Sequence, residues 1–378
     1  MTRTILVTGA RGFIGSNLVL QLKALPDVKV VAVAEASELA GAVACLGSDD
    51  LIFHLAGVNR PPTPDAFEAG NVELTRTLCN LLIARGIAPM LVLSSSTQAA
   101  LDNPYGSSKR QAEELVRGYA QQASAQAIIY RLPNVFGKWA RPNYNSVVAT
   151  FCYNIANDLP IQINDPAAAL SLLYIDDLMD AWLELAKGET PRTDSQSHGE
   201  LPRIYNATVG ELAEMISAFK ASRSSLVTEP VGAGLPRALH ATYLSYLRPE
   251  QFSYSLKTHA DPRGQFVEMV KTRDSGQVSF FTCRPGITRG GHYHHSKTEK
   301  FLVVRGQALF RFRHMATGEA AQLETTDAHF EIVETVPGWT HDITNIGDED
   351  MIVMLWANEI FDPNKPDTFQ EPLLHGHP

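Results

Sequence analysis

The chain has 378 residues, of which 44% are hydrophobic and 19% charged, and its formal net charge is −9 at pH 7. This length predicts two or three domains with an ample hydrophobic core. The negative charge without basic runs excludes nucleic acid as an expected partner, and no segment has the length of a membrane span. The four cysteines are scattered. We therefore expect reduced core cysteines in a cytoplasmic protein, with no room for a signal peptide before the first strand.

A nucleotide-cofactor signature begins at the N-terminus. Residues 5–8 form a short apolar strand that runs into Gly9, Gly12 and Gly15 ahead of an apolar helix. Strand, glycine-rich turn and helix in this order let the backbone approach a pyrophosphate at a helix N-terminus. The spacing resembles that of the extended short-chain dehydrogenase/reductases. The cofactor-binding residues that this resemblance implies lie in the turn and after a later strand: Gly9, Arg11, Gly12, Phe13, Ile14, Gly15, Leu55, Ala56 and Gly57.

The rest of that family's pattern follows in chain order. Residues 51–57 predict a buried parallel strand that ends beside the cofactor, and residues 90–96 predict the next strand, which ends in hydroxyls. His54 comes earlier than in other extended reductases, so we expect a βα unit to be missing after the second strand. Residues 131–137 and 174–177 resemble substrate-side segments of these enzymes, and Asn71 resembles a structural asparagine.

Three residues resemble the catalytic constellation of the same reductases. Tyr105 and Lys109, at positions i and i+4, lie one above the other on a helix face, and Ser96 ends the preceding strand. A hydride delivered to a ketone leaves an alkoxide that must be protonated. We expect Tyr105 to be this acid, with its pKa lowered by the cation Lys109, which would also bind the cofactor's ribose. Ser96, with Ser95 as the alternative, would hold the substrate oxygen.

The preference for NADP(H) or NAD(H) depends on two residues. Glu35 ends the second strand, where an acidic side chain favours NAD, whereas Arg11 stands in the glycine turn, where a basic side chain favours NADP. The two signals conflict. We expect NADPH, with NADH as the alternative.

The strand and helix pattern changes along the chain. Residues 188–202 predict a loop and residues 209–219 a helix of a small substrate lobe, and short strands broken by Gly and Pro begin around residues 245–252. The sequence therefore predicts an α/β Rossmann-type doubly wound parallel sheet over residues 1–245, followed by an all-β module over residues 246–378.

A set of metal-ligand residues lies in the second part. His292 and His294 are two apart, which on a strand puts both imidazoles on one face. Glu299 follows ahead of an apolar run, and His341 comes after a Pro-Gly turn. Three imidazoles and one carboxylate suit zinc, iron, manganese or nickel. The alternative is a histidine-rich surface hairpin without a metal.

These residues carry two family resemblances. The spacing from Gly286 to Gly306, with residues 337–345, resembles the two motifs of the cupins, which are double-stranded β-barrels with such a cluster in the barrel mouth. Residues 289–293 are similar to a segment of the deoxysugar 3,5-epimerases, where the histidine is a general base. His292 is therefore a ligand or a base. The base of an epimerisation stays open among His295, Lys300 and Tyr293.

The joined parts resemble one family over nearly the whole chain. The order of reductase then cupin, with the phrases at residues 137–146, 242–247 and 358–363, is similar to the bifunctional reductases of capsule and O-antigen biosynthesis on the route to UDP-N-acetyl-L-fucosamine. The resemblance implies a homodimer with zinc in the cupin. It implies C3 epimerisation of a UDP-linked 4-keto-6-deoxy-N-acetylhexosamine by the cupin and C4 reduction with NADPH, giving UDP-2-acetamido-2,6-dideoxy-L-talose.

Two other functions stay open for the cupin. Three histidines and a glutamate also suit an iron dioxygenase, although the epimerase-like residues 289–293 disfavour that reading. The cupin is alternatively a non-catalytic dimerisation or sensing module attached to a simple nucleotide-sugar reductase.

Overall fold

The computed structural model describes residues 2–60, 63, 65–189, 192–261, 264–267, 269–272, 276–359 and 364–373. The chain divides into two compact units, Met1–Val135 with Ser171–Ile204, and Phe136–Leu170 with Tyr205–Pro378. The helices of the predicted substrate lobe therefore group with the β module. The predicted division at residue 245 separates fold types along the chain, and it stays a prediction.

Helices and strands alternate in the first part of the chain, and strands dominate the last part. The helices are α1 (Phe13–Lys23), α2 (Leu39–Val43), α3 (Asp65–Phe67), α4 (Leu74–Arg85), α5 (Pro104–Ala123), α6 (Val147–Ala156), α7 (Ile175–Ala186), α8 (Val209–Ser225) and α9 (Gly234–Leu244). Short 3₁₀ helices cover Ala36–Glu38, Thr97–Ala100 and Pro249–Gln251, and a π-helical turn covers Glu68–Glu73.

The strands in chain order are β1 (Arg3–Thr8), β2 (Val28–Val33), β3 (Leu51–His54), β4 (Met90–Ser96), β5 (Ala127–Leu132), β6 (Asn134–Phe136), β7 (Ala169–Tyr174), β8 (Ile204–Thr208), β9 (Val227–Thr228), β10 (Ser253–Ser255), β11 (Thr258–Asp261), β12 (Gly264–Val267), β13 (Lys271–Thr272), β14 (Gln277–Cys283), β15 (Thr288–Tyr293), β16 (Glu299–Arg305), β17 (Gln307–His314), β18 (Ala320–Thr326), β19 (Glu331–Glu334), β20 (Trp339–Asn345), β21 (Met351–Ala357) and β22 (Phe369–Gln370).

The first unit is built on a parallel sheet in the order β2-β1-β3-β4-β5. Leu6, Ile52 and Leu91 of its central strands pack in one hydrophobic cluster with Leu78 of α4 and Val116 of α5. Such apolar runs are typical of strands that helices cover on both faces. Only a 3₁₀ turn and the short α2 separate β2 from β3, in agreement with the expected missing βα unit. The Rossmann-type sheet that the sequence predicts is confirmed.

The β module of the second unit contains two antiparallel sheets, in the orders β10-β19-β16-β21-β14 and β18-β17-β20-β15-β22. Phe301 of β16 and Phe310 of β17 lie buried between them, with ring centroids 5.7 Å apart. Burying a side chain of this size contributes about 1.5–3 kcal/mol. The module is the cupin double-stranded barrel that the sequence predicts.

Two expectations from composition have different outcomes. All four cysteines are free, and Cys79, Cys152 and Cys283 are buried as predicted. Cys45 is exposed, so the prediction of a core position is wrong for this residue, which lies in the turn just after α2. None of the described helices combines the length and apolar character that a membrane span requires. The cytoplasmic location stays a prediction.

Candidate active site and metal centre

Two glycines of the turn after β1, Gly9 and Gly15, stand where a side chain has no room. A Cβ at Gly9 would lie 2.7 Å from the amide nitrogen of Ala56, and a Cβ at Gly15 would lie 2.2 Å from the carbonyl oxygen of Gly9. Gly9 also has a φ of +65°, which side chains rarely adopt. Gly12 is the N-cap residue of α1 and has no side chain to cap the first amides. The turn therefore has the form that a cofactor pyrophosphate requires, with Phe13 and Ile14 opening the helix.

The segment after β3 is held by a side chain of β1. The hydroxyl oxygen of Thr8 accepts hydrogen bonds from the amides of Leu55 (3.1 Å) and Ala56 (3.2 Å). A Cβ at Gly57 would lie 3.5 Å from the Nζ atom of Lys109. The structure therefore brings this predicted cofactor segment to both the glycine turn and Lys109.

His54 connects this segment to α4 through a buried network that the sequence analysis missed. Its Nδ1 atom lies 2.8 Å from the hydroxyl of Thr8, and its Nε2 atom lies 2.9 Å from the hydroxyl of Thr75. Because Thr75 donates to the carbonyl of Asn71 (2.6 Å), it must accept from Nε2–H of His54. Burial and the charge of Lys109 lower the pKa of His54 to about 3, so the ring is neutral.

The predicted catalytic residues come together between β4 and α5. Tyr105 lies in the first turn of α5, and the hydroxyl of Ser96 is close enough to the phenol to lower its pKa. Lys109 is buried one turn later and donates to the carbonyl of Ser94 (2.8 Å). The hydroxyl of Ser95 donates instead to the carboxylate of Glu113 (2.6 Å). The structure thus brings Ser96, and not the alternative Ser95, to the phenol.

The electrostatics of this site differ from the sequence-based expectation. Burial raises the pKa of Tyr105, and the nearby hydroxyl of Ser96 offsets this only in part. The expected lowering by Lys109 is therefore wrong for this structure, because desolvation of the phenolate outweighs the other influences. Burial also lowers the pKa of Lys109 to about 8, against the attraction of Glu113.

Arg11 and Glu35, the two conflicting cofactor signals, pair with each other. Their closest charged atoms are 3.9 Å apart, and the side chains are 81% and 70% exposed. Such an exposed pair contributes about 0–1 kcal/mol, so a ligand phosphate displaces it at little cost. Both side chains are within reach of the end of β2, and the geometry leaves NADPH and NADH open.

The segments that resemble substrate-side sequences make structural contacts. Arg131 donates to both carboxylate oxygens of Glu113 at 2.9 and 2.7 Å, a bidentate pair. Asp176 is buried in the first turn of α7. Asn71 accepts from the amide of Val58 (2.8 Å) and donates to its carbonyl (2.9 Å), which is a structural role of the predicted kind.

The four predicted metal ligands of the second unit converge. One potential ligand atom from each of His292, His294, Glu299 and His341 lies within 4.8 Å of the others. His292 is on β15 opposite His341 of β20, and Glu299 begins β16. β15 ends at Tyr293, so His292 lies in the strand and His294 lies just beyond its end.

A β-bulge makes this convergence possible. The register between β15 and β20 shifts between Gly290 and His292. Gly290 and Gly291 have φ values of +100° and +73°, which favour glycine. A Cβ at Gly290 would also lie 3.0 Å from the carbonyl oxygen of His341. The glycine pair therefore allows the bulge that sets His292 against His341.

The charges in the cluster fit a divalent metal. Burial and the charge of His294 lower the pKa of His292 to about 4, and burial holds the pKa of His341 well below its ordinary value. Both rings are therefore neutral, as metal ligation requires. Burial alone would raise the pKa of Glu299, but His294 and Lys297 hold it below its usual range.

His341 gives the strongest sign of a missing partner. Both its ring nitrogens are buried, and neither has a hydrogen-bond partner among the described residues. Buried polar atoms are nearly always hydrogen-bonded, so an imidazole without a partner, beside three other potential metal ligands, indicates a site for a bound ion. A metal ion held by His292, His294, Glu299 and His341 would satisfy it.

Of the candidate bases, Lys300 lies on the wrong face of its strand. Its ammonium donates to the hydroxyl of Tyr254 (2.6 Å) and pairs with the carboxylate of Glu334 (2.9 Å). Successive strand residues point to opposite faces, and the preceding Glu299 points into the cluster. The structure therefore does not bring Lys300 to the metal-ligand set.

Tyr293 and His295 form a separate aromatic group. Tyr293 stacks on Phe369 with ring centroids 5.4 Å apart, and the His295 ring lies 5.4 Å from Tyr293 and 4.9 Å from Phe369. Both are buried neighbours of the ligand histidines in sequence. Arg289, part of the epimerase-like segment, is exposed and lies over the Phe281 ring.

Asp367, which the sequence analysis did not single out, contacts the loop between the ligands. Its carboxylate accepts from the amides of His295 (2.8 Å), Ser296 (2.7 Å) and Lys297 (2.7 Å). Its main-chain carbonyl accepts from Nδ1 of His294. No local pattern marks this aspartate, because its partners lie some seventy residues earlier.

Comparison with known proteins identifies the family. Residues 5–206 match the NAD dependent epimerase/dehydratase family, and residues 259–369 match the polysaccharide biosynthesis C-terminal domain. The chain is 53% identical over 365 residues to the UDP-2-acetamido-2,6-beta-L-arabino-hexul-4-ose reductase of Pseudomonas aeruginosa, with 97% of each chain covered. This protein belongs to that reductase family.

Solved structures agree with membership in the reductase family. The capsular polysaccharide assembling protein CapF from Staphylococcus aureus is 41% identical, with 98% of this chain and 100% of that chain covered and a TM-score of 0.66. UDP-glucuronic acid 4-epimerase from Bacillus cereus, in complex with NAD, is 19% identical with a TM-score of 0.50 over 58% of this chain and 84% of that chain. This second likeness shows the fold alone.

One phrase that carried the family resemblance is only partly described. In the phrase at residues 358–363, Asn358 is buried, accepts from the amide of Thr298 (2.9 Å) and donates to the carbonyl of Val231 (3.3 Å). Residues 360–363 lie outside the described residues. The segment at residues 358–363 thus begins with an asparagine that has a structural role.

Proposed function

We propose that this protein is a bifunctional nucleotide-sugar enzyme of capsule or O-antigen biosynthesis. Its cupin epimerises C3 of a UDP-linked 4-keto-6-deoxy-N-acetylhexosamine, and its Rossmann domain reduces the C4 ketone with NADPH. The product is UDP-2-acetamido-2,6-dideoxy-L-talose, on the route to UDP-N-acetyl-L-fucosamine. The observation that carries the proposal is the 53% identity, over 97% of both chains, to a reductase named for a UDP-linked hexul-4-ose.

The reductase step rests on the Tyr105 site. When bound, NADPH supplies the hydride, and the glycine turn and Lys109 would hold its pyrophosphate and ribose. Tyr105 donates its proton to the oxygen at C4, and Ser96 holds that oxygen by a hydrogen bond. The raised pKa of Tyr105 supports this role, because the phenol keeps its proton at neutral pH until the alkoxide forms.

The epimerase step rests on the cupin cluster. A C4 ketone acidifies the hydrogen at C3, so a base removes this proton and a proton that has exchanged with solvent is delivered to the opposite face. A zinc or other divalent ion held by His292, His294, Glu299 and His341 would supply Lewis acidity to the ketone. Assigning His292 to the ligands leaves His295 and Tyr293 as the candidate bases.

The test uses the full chain with the UDP-linked 4-keto sugar in D₂O, without any nicotinamide. We expect deuterium at C3, observed by NMR as loss of the C3 proton signal, because epimerisation precedes reduction. NADPH then gives the reduced sugar, and NADH serves as the comparison for cofactor preference. Reduction without C3 exchange would leave a simple reductase with a non-catalytic cupin, and oxygen uptake with stoichiometric iron would indicate a dioxygenase.

We further propose that the protein is a homodimer, the assembly that the family resemblance implies. The measurement is the mass in solution by size-exclusion chromatography with light scattering. A chain of 41.4 kDa should then elute with twice that mass. A monomeric mass at micromolar concentration would contradict the assembly and leave the catalytic proposal untouched.

A further inference from the structure

The loop between β15 and β16 connects two of the four metal-ligand residues. His294 stands at its start and Glu299 at its end. Between them, the amides of His295, Ser296 and Lys297 all point to the carboxylate of Asp367, and the Ser296 hydroxyl donates to it as well (2.9 Å). Successive amides that converge on one anion form a nest, which fixes the backbone of the loop.

The same residue also orients one ligand directly. The main-chain carbonyl of Asp367 accepts a hydrogen bond from Nδ1 of His294. Nδ1 is therefore occupied as a donor, and Nε2, which lies 3.1 Å from the carboxylate of Glu299, is the nitrogen whose lone pair a metal ion would take. Metal-ligating histidines characteristically donate their second nitrogen to such an acceptor, which sets the tautomer and the ring orientation.

Asp367 is itself held in place by the strand that carries His292. Two residues later, β22 pairs with β15 in the register His292 with Gln370 and Tyr293 with Phe369. The amide of Glu371 then donates to the carbonyl of Gly291 (2.7 Å). The carboxylate is therefore positioned by backbone pairing.

We propose that Asp367 is a positioning residue of the metal centre and acts as a clamp on residues 295–297. The inference rests on the metal site of the proposed function and adds to it the residue that sets the spacing between His294 and Glu299. Without the carboxylate, three amides and a hydroxyl lose their acceptor, and the loop that joins the two ligands relaxes. Asparagine is nearly isosteric, but it offers one acceptor oxygen in place of two.

The experiment measures zinc binding to the full chain by competition with a chromophoric chelator. We expect Asp367→Asn to bind zinc about 10–100-fold more weakly and to release it faster, as is typical when a supporting contact of a ligand is lost. Asp348→Asn, at an exposed position, is the matched control and should bind as the wild type does. Thermal unfolding of the metal-free protein checks that Asp367→Asn is folded, and Asp348→Asn should keep both NADPH oxidation and thermal unfolding unchanged.

The outcomes separate this inference from the function on which it rests. Wild-type protein that binds neither zinc nor iron, manganese or nickel would overturn the metal centre itself. Equal zinc affinity in wild type and Asp367→Asn would overturn the clamp alone. If Asp367→Asn does not fold, Ser296→Ala removes one of the four bonds to the carboxylate and is expected to release zinc several-fold faster. Unchanged release in that variant would also overturn the clamp.

Discussion

The two clusters of functional side chains differ in how they are assembled. Ser96, Tyr105 and Lys109 lie on one strand and the helix that follows it, so a single βα unit sets their geometry. His292, Glu299 and the remaining metal-ligand residues come from three strands and a loop, and their geometry depends on antiparallel pairing across the barrel. The first site is local and the second is non-local, which predicts different sensitivities to substitution.

The two clusters have opposite charge states. In the cluster of Ser96, Tyr105 and Lys109, the buried ammonium of Lys109 has a pKa of about 8 and is therefore charged below that pH. In the second, burial keeps His292 neutral down to about pH 4, while Glu299 stays ionised. The reductase site therefore presents a cation, whereas the cupin site presents the neutral rings of His292 and His341 and the carboxylate of Glu299.

The largest expected effect separates the two sites by chemistry. Tyr105→Phe removes the proposed proton donor of the reduction and keeps the ring that packs near Phe67. We expect NADPH oxidation to fall by about 10²–10⁴-fold, the usual contribution of a positioned acid. Deuterium exchange at C3 should continue at the wild-type rate, because Tyr105 has no part in it.

The control for this prediction is a tyrosine of the same unit without a catalytic role. Tyr119, also on α5, donates its hydroxyl to the carbonyl of Pro89 (2.9 Å), and Tyr119→Phe should keep reductase activity. Joint loss of reduction and exchange in Tyr105→Phe would mean that the two sites do not act independently.

The next largest effect is expected from a substitution in the non-local cluster. His341→Gln removes a buried residue of the proposed ligand set. We expect zinc binding to weaken by at least about 100-fold, the upper end of what loss of a supporting contact costs. His329→Gln is the matched control, because His329 is exposed and is no member of the cluster. Metal analysis after dialysis and the C3 exchange rate are the measurements. If the His341→Gln variant retains stoichiometric zinc after dialysis, His341 is not a zinc ligand.

The local site was largely predictable from the sequence. Helix periodicity alone places Tyr105 over Lys109, and the order of strand, hydroxyls and helix brings Ser96 to them. The pKa of Tyr105 was not predictable, because it depends on how deeply the phenol is buried. The network of His54 with Thr8 also needed the structure, since a buried histidine is equally often a packing residue.

The non-local site was predictable only through motif resemblance. Nothing in the local pattern pairs His292 with His341, and the bulge at Gly291 is visible only once the strands are aligned. Strand alternation did carry a usable signal against Lys300, because Glu299 faces the cluster and its neighbour must face away. Asp367 gave no signal, since its role comes from a pairing between segments far apart in the chain.

A pH profile would sharpen the electrostatic contrast. The pKa of Lys109 is about 8, below its ordinary value, so the folded protein loses this proton as the pH rises through 8. Because kcat/KM reports the free enzyme, its value for NADPH should fall about tenfold per pH unit above 8. Tyr105 does not produce this limb, because its raised pKa keeps the phenol protonated there. A limb near pH 10 would contradict the assignment to Lys109.

The smallest expected effect concerns cofactor choice at the local site. Arg11 is exposed and pairs only weakly with Glu35, so it is available to a 2′-phosphate. A charge-assisted hydrogen bond contributes about 1.5–3 kcal/mol, and exposure reduces this, so we expect Arg11→Ala to raise the KM for NADPH about tenfold. The KM for NADH should stay the same, because NADH lacks the phosphate. Lys23→Ala, at the exposed end of α1, is the control. An equal rise of the KM for NADPH and for NADH in Arg11→Ala would show that Arg11 supports the turn and does not bind the phosphate.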